Sequence, residues 1–164
     1  YEGVMDHKYL FTNVGYNLKP LDMQGAIGMA QLDKIDTIHT NRRANKEKIE
    51  SFFLESLGDY LTIPTELSKA TTSWFGVPII CHENSVKTKL VGFLEENKIQ
   101  TRNYFAGNIL QHPAYSFLED WKKFPMANKV LDQVFFVGCH PNYSDTMLDY
   151  IAEKLAEFKL ILED

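Results

Sequence analysis

The sequence predicts an α+β fold in which a small, mainly antiparallel sheet is covered on one face by helices. Three observations support this prediction. Apolar residues recur at helical spacing over residues 20–57, and after residue 58 short β-branched or aromatic runs alternate with further helical segments. The chain has 164 residues, 45% of them apolar, so it is long enough to bury one core.

Two helices open the pattern. Pro20 suits the first turn of a helix that runs from about 20 to 34. Asp36 or Thr37 can cap a second helix, which ends before Gly58.

The first helix and the segment before it contain residues that need an outside partner. Gly25 and Gly28 lie inside the helix, where glycine costs about 1 kcal/mol relative to alanine, so we expect another layer or subunit to pack closely there. Gly15, Asn17 and Lys19 supply a turn, an amide and a cation at the approach to the helix N-terminus. This combination favours contact with an anion such as a phosphate, with an Asn-stabilised turn as the alternative.

Strands and helices then alternate to the end of the chain. The predicted strands are 61–63, 73–81, 99–104 and 134–138, and the predicted helices are 85–97, 126–133 and a last helix from 144. Pro78 lies inside the second strand, which suggests an edge strand or a bulge.

Composition excludes several classes of protein. Lys and Arg number 17 against 22 Asp and Glu, and the net charge of -5 argues against nucleic-acid binding. No apolar run of about 18 residues and no secretion leader is present, so we expect no membrane association and a cytoplasmic location. Cys81 and Cys139 are too few for a disulfide framework, and we expect reduced thiols. The chain opens with Tyr1 and not Met, as a piece of a longer protein would.

The sequence contains residues for a zinc site and for a hydrolytic triad, but their positions argue against both hypotheses. Cys81-His82 and Cys139-His140 could together supply four zinc ligands, but neighbours on a strand point to opposite faces. Ser144 with the following aspartate and a histidine could form a hydrolytic triad, but those two residues are better explained as a helix N-terminus. We therefore expect no metal site and no catalytic residue in this chain.

The run GYNLKPLDMQGAIGMAQLDKID resembles the start of the C-terminal small domain of the DegT-type sugar aminotransferases and dehydratases. These are vitamin B6 enzymes of the aspartate aminotransferase fold, fold type I. The resemblance continues through Arg42-Arg43, SWFGVP, TRNYFAGN, QHPAY and the last helix. It implies that the whole chain is a single C-terminal small domain. Residues 1–19 would connect to a large domain, 20–57 would form helices, and 58–164 would form an α/β sandwich.

The loop after the third strand indicates a branch of the family. Aminotransferases usually follow the Thr-Arg strand with a tyrosine and then Pro-x-His, whereas this chain has FAGN at 105–108. With MDHKYLFTNVGYNLK and SWFGVP, this pattern resembles the CDP-4-dehydro-6-deoxyglucose 3-dehydratase branch of lipopolysaccharide biosynthesis. The resemblance implies a lyase that removes the C3 hydroxyl of a nucleotide-linked 4-keto-6-deoxy sugar in O-antigen deoxysugar biosynthesis. It does not distinguish CDP from GDP or identify the sugar epimer.

The resemblance also implies roles for charged and amide residues. Asn17 matches the asparagine that reaches the cofactor phosphate of the partner subunit in a homodimer. Lys19 lies where aminotransferases usually have arginine, so its contact with a substrate phosphate would be single-point. Lys129 matches a cationic position near the active site.

Three further residues are implied to face the substrate. Phe75 matches an aromatic side chain that lines the cleft, and plain core packing is the alternative. Arg102 and Asn108 frame the loop that faces the sugar, and a surface ion pair is the alternative for Arg102.

The catalytic groups are implied to lie in the large domain. That domain would hold most of the contacts to pyridoxamine or pyridoxal 5'-phosphate and a catalytic histidine in place of the usual lysine. A [2Fe-2S] cluster, served by an iron-sulfur flavoprotein reductase, would belong to the full-length protein only, because such a cluster takes four thiolates. This chain alone is expected to be inactive.

Two other functions remain open from the sequence. One is a pyridoxal phosphate-dependent nucleotide-sugar aminotransferase, which a lysine at the upstream catalytic position would favour. The other is a non-catalytic dimerisation or binding module.

Overall fold

The first compact unit of the protein ends at Ile35, and its described residues include a helix. The computed structural model describes residues 18–112, 115 and 117–163. Helix α1 (Asp22–Leu32) follows the extended residue Leu21, whose N–H donates to the Gln24 side chain at 2.8 Å. The predicted helix is confirmed, with ends that differ by two residues. All its side chains are exposed, and a Cβ added at Gly25 or Gly28 would meet nothing within 4 Å among the described residues. The close packing expected there stays a prediction.

The second unit contains the sheet and the remaining helices. Its elements are α2 (Ile35–Leu57), β1 (Leu61–Thr62), β2 (Gly76–Cys81), α3 (Asn84–Glu96), β3 (Thr101–Asn103), α4 (Pro125–Gln133), β4 (Val134–Gly138) and α5 (Asp145–Glu163). The strands lie in the order β1-β2-β4-β3, and every neighbouring pair is antiparallel. The predicted α+β class and antiparallel sheet are confirmed.

The prediction that Pro78 marks an edge strand or a bulge is wrong for the strand as a whole, because β2 lies between β1 and β4 in a regular register. Pro78 lies opposite Phe136 of β4. The Cys139 N–H donates to the Phe75 carbonyl at 2.8 Å, so the alternation of the ladder makes Pro78–Phe136 a pair without mutual hydrogen bonds. On the other side, β1 pairs only with the last two residues of β2. The missing proline N–H therefore interrupts no ladder bond.

One face of the sheet packs on helices to form the core. Side chains of β2 and β4, such as Ile79 and Phe135, are fully buried with Phe53 of α2, Leu90 of α3 and Leu155 of α5. Burying apolar surface of this kind stabilises by roughly 25 cal/mol per Å².

Both cysteines belong to this core as free thiols. Burial raises the pKa of Cys81 and of Cys139 to about 11. The Cys139 thiol also donates to the Arg42 carbonyl at 3.0 Å. None of the helices in the described part of the chain is both long and apolar enough to cross a membrane.

Candidate functional site

The sheet face opposite the helical core presents a group of aromatic rings. Successive side chains of β4 alternate between faces, so Phe136 points away from the core that holds Phe135. Its ring lies 5.2 Å from that of Phe75 and 6.1 Å from that of Phe105, and Tyr104 lies 5.4 Å from Phe105. We name Phe75, Tyr104, Phe105 and Phe136 the aromatic face. Phe75 is 54% exposed and Phe105 is 68% exposed, so core packing does not describe either ring.

Helix α2 and a glycine place Phe75 on this face. The Arg43 Nε donates to the Thr72 carbonyl at 3.3 Å, and the Lys46 ammonium lies 5.4 Å from the centre of the Trp74 ring. These contacts hold the segment that leads into β2. At Gly76, the next residue after Phe75, an added Cβ would lie 2.5 Å from the Phe136 ring. Glycine therefore allows the two phenylalanine rings to meet.

A tight loop after β3 presents Phe105. Phe105 has φ +52°, a left-handed conformation that costs an L-residue other than glycine about 1–2 kcal/mol. Two residues later Gly107 has φ +60°, and an added Cβ there would lie 2.6 Å from the Leu131 Cβ of α4. The His112 Nε2 also donates a hydrogen bond to the Ala106 carbonyl oxygen at 3.1 Å. The loop is thus held in place while the Phe105 ring stays exposed.

A network of side-chain amides ties this loop to α4. Asn108 is only 2% exposed, and its Nδ2 donates to the Trp121 carbonyl at 3.1 Å and to Asn128 Oδ1 at 2.6 Å. Its Oδ1 accepts from the Leu110 N–H at 3.1 Å, and Gln111 donates to the same Asn128 oxygen at 2.9 Å. Both amide hydrogens and the amide oxygen of Asn108 therefore have partners within the protein. Direct contact between Asn108 and a substrate stays a prediction.

Arg102 lies beside the aromatic rings. It pairs with Phe136 across β3 and β4, and opposite residues of an antiparallel pair share a face. The start of β3 is fixed by Glu95, which accepts from the Thr101 N–H at 2.5 Å and from its hydroxyl at 2.8 Å. These hydrogen bonds hold the pKa of Glu95 below its usual range. Arg102, which is exposed, therefore places a cation beside Phe136 of the aromatic face.

The remaining predicted site residues lie elsewhere. Asn17 falls outside the described residues. Lys19 is exposed in the segment before α1, in the first unit, and Lys129 is exposed on α4. The structure thus places Phe75 and Arg102 each beside Phe136, while Asn108 anchors the loop that presents Phe105.

The described residues of the second unit line hollows of different size, of which two bear on the site. The smaller, about 210 Å³, lies against the aromatic face and is lined by residues that include Trp74, Pro78 and Tyr104. The larger, about 640 Å³, lies between the start of β3 and the first turns of α5 and contains none of the predicted site residues. We place the candidate site at the smaller hollow, because Phe75, Tyr104 and Phe136 line it, while Phe105 and Arg102 lie next to Phe136.

Neither a metal site nor a cofactor pocket is formed by the described residues alone. In that part of the chain no three His, Cys, Asp or Glu side chains come together as metal ligands. Lys87 is the one buried lysine among the described residues, and its ammonium donates to the Leu131 carbonyl at 2.6 Å. Burial lowers the pKa of Lys87, but its nitrogen already has a partner. Lys87 is therefore not free to bind a cofactor through its amine.

Comparison with known proteins identifies the family. The chain is 37% identical over 157 residues to the lipopolysaccharide biosynthesis protein RfbH of Salmonella typhimurium, covering 93% of this chain and 36% of that protein. It is 38% identical to the dTDP-4-dehydro-2,6-dideoxy-D-glucose 3-dehydratase of Saccharopolyspora spinosa, covering 93% of this chain and 34% of that enzyme. The chain therefore spans about a third of the length of these curated relatives.

A solved structure shares the fold. It is that of the E. coli GDP-4-keto-6-deoxy-D-mannose-3-dehydratase with bound hydrated PLP, with a TM-score of 0.71 and 31% identity over 90% of this chain and 38% of that one. Residues 1–156 match the sequence profile of the DegT/DnrJ/EryC1/StrS aminotransferase family. The chain belongs to this family.

Proposed function

We propose that this chain is the C-terminal small domain of a nucleotide-sugar 3-dehydratase that depends on pyridoxamine or pyridoxal phosphate. The observation that carries the proposal is the exposed aromatic face beside Arg102, to which the FAGN loop contributes Phe105. Two of the similar proteins are named as sugar 3-dehydratases. Residues 1–19 would connect to the large domain, 20–57 would form helices, and 58–164 would form the sandwich.

In this proposal the domain binds and shields the substrate. The aromatic face would pack on the apolar side of the sugar and exclude water, because its exposed rings offer carbon surface. Arg102 would provide a cation at the edge of this surface, and Asn108 would act by anchoring the loop. Lys19 and Lys129 would contact the substrate, and Asn17 the cofactor phosphate. No proton transfer is assigned to these residues.

Catalytic groups and most cofactor contacts would come from the large domain. A homodimer, a [2Fe-2S] cluster with its reductase, a cytoplasmic location and a role in O-antigen synthesis remain proposals for the full-length protein. Cys81 and Cys139 would not ligate a cluster, because both thiols lie in the core and burial raises their pKa to about 11. This chain alone would be inactive.

The test is product analysis with the full-length protein. It is incubated with pyridoxamine phosphate and a CDP-, GDP- or dTDP-linked 4-keto-6-deoxyhexose, with and without glutamate, and the products are identified by mass spectrometry and NMR. The proposal predicts loss of the C3 oxygen. An aminotransferase, which the family description supports as the second candidate, would instead form a 4-amino sugar, in excess over the added pyridoxamine phosphate only when glutamate restores the amine. No conversion of any sugar would favour a non-catalytic module.

A further inference from the structure

Phe105 combines two features that folding alone does not explain. Its backbone adopts φ +52°, and its ring is 68% exposed. A strained conformation is retained where the surrounding structure enforces it, and such residues cluster at ligand sites. A ring that stays mostly exposed contributes little burial in return. A ligand on the exposed side of the ring would account for both features.

The contacts that enforce this conformation come from α4. Gly107 packs on Leu131, and the buried Asn108 amide donates to Asn128 Oδ1 at 2.6 Å. Leu131 and Asn128 lie one turn apart on the helix, so a single rigid element fixes the loop at two points. The position of the Phe105 ring is thus set by α4 and not by the loop sequence alone.

The shape of the aromatic face favours a sugar ring over a nucleobase. Phe105 is inclined by 45° to Phe75 and by 35° to Phe136, and Phe75 by 67° to Phe136, so no two of these rings form the parallel walls that sandwich a flat base. The adjoining hollow of about 210 Å³ is below the roughly 300 Å³ of sites that bury drug-sized ligands. It can take one ring of a nucleotide sugar and not the whole molecule.

We propose that Phe105 is a ligand-contacting residue that packs on the apolar face of the hexose, and that Asn128 is a positioning residue that acts through Asn108. This inference rests on the proposed function, since it takes the ligand to be a nucleotide-linked 6-deoxyhexose. The contact is one of dispersion and C–H contact with the ring, and it involves no bond making or breaking.

The first experiment measures binding to the full-length protein by calorimetry. The ligands are a nucleotide-linked 6-deoxyhexose and the matching free nucleoside diphosphate. Phe105→Ala is expected to raise the Kd of the nucleotide sugar about tenfold and to leave the Kd of the free diphosphate within about twofold of wild type. Phe105→Gly, which also removes the backbone strain, is expected to give the same ratio and covers the case in which the alanine variant fails to fold.

Phe117→Ala is the matched control. Phe117 is 80% exposed and no aromatic ring packs on it among the described residues. Its removal is expected to change neither Kd. An equal loss in Phe105→Ala and Phe117→Ala, or no loss in Phe105→Ala, would overturn the inference. Equal weakening of both ligands would assign the ring to the nucleotide and also overturn it. Failure of the wild-type protein to bind any nucleotide sugar would instead refute the proposed function itself.

The second experiment separates positioning from general stability. Asn128→Asp keeps an oxygen that accepts from Asn108 and Gln111, so it is expected to bind the nucleotide sugar as wild type does, whereas Asn128→Ala is expected to bind about threefold to tenfold more weakly. In the Phe105→Ala background, Asn128→Ala is expected to weaken binding no further, because residues that act as a unit are not additive. Additive losses would refute the positioning role.

Discussion

The amide network between the loop and α4 makes an asymmetric prediction for two isosteric substitutions. Asn108 acts as donor to two oxygens, the Trp121 carbonyl at 3.1 Å and Asn128 Oδ1 at 2.6 Å. Asn128 acts mainly as acceptor, from Asn108 and from Gln111 at 2.9 Å. Replacing either amide by a carboxylate converts its two donor hydrogens into an acceptor oxygen. The cost should therefore be large at Asn108 and small at Asn128.

The magnitude follows from burial. Asn108→Asp loses two hydrogen bonds, each worth about 1 kcal/mol, and sets a carboxylate oxygen against two acceptors at a site that is 2% exposed. Because an unpaired buried charge adds several kcal/mol, we expect a loss of about 3–5 kcal/mol in the free energy of unfolding at pH 7. Asn128→Asp loses only the 3.4 Å bond from its Nδ2 to the Trp121 carbonyl, and we expect a change of less than about 1 kcal/mol.

The assay is urea unfolding of the 164-residue chain followed by tryptophan fluorescence. The introduced carboxyl in Asn108→Asp would have its folded-state pKa raised above its unfolded value of about 3.9. Its penalty is therefore present above the folded pKa and shrinks as the pH falls toward 4, so the gap to wild type should narrow there. Equal destabilisation by both substitutions, or a larger loss for Asn128→Asp, would refute the assigned donor and acceptor roles.

Two further predictions concern a pair of glycines, one in α3 and one in β2, and the two thiols of the core. Gly92→Ala should raise the free energy of unfolding by about 0.5–1 kcal/mol, because Gly92 is exposed in the middle of α3 and nothing lies within 4 Å of the new Cβ. Gly76→Ala should lower the free energy of unfolding by about 1–3 kcal/mol, because its Cβ would displace the Phe136 ring. Thermal unfolding measures both changes, and changes of the same sign would contradict the packing described. Burial raises the pKa of Cys81 and Cys139 to about 11, so these thiols should resist iodoacetamide at pH 8 until the chain unfolds. The free energy of unfolding should fall between about pH 9, where the thiols of the unfolded chain ionise, and about pH 11. Alkylation of the folded chain at the rate of a free thiol would contradict this.

Local patterns predicted most of the fold. Apolar periodicity and capping residues placed each α-helix of the described residues within about two residues of its observed ends, because those signals act over a few positions. The third strand was predicted at 99–104 but spans Thr101–Asn103. Lys98 adopts φ +64° and the Ile99 N–H donates to the Leu94 carbonyl at 2.9 Å, so these residues end α3 before the strand begins. That ending uses a lysine where glycine is usual, which gives no signal in the sequence.

The candidate site was less accessible to sequence reasoning. The FAGN sequence at 105–108 was visible, but the left-handed Phe105 was not, because only the surrounding contacts force a phenylalanine into that region. Asn128 was missed because its contact with Asn108, twenty residues earlier, depends on how α4 docks on the loop. An amide within a helix carries no local sign of such a partner.

The most direct test of sugar binding at the aromatic face is a crystal structure of the full-length protein with a nucleotide-linked 6-deoxyhexose bound. We expect the hexose ring to lie in van der Waals contact with Phe75 and Phe105, with Arg102 at its edge. A sugar bound elsewhere, with the aromatic face buried against protein or open to solvent, would contradict it.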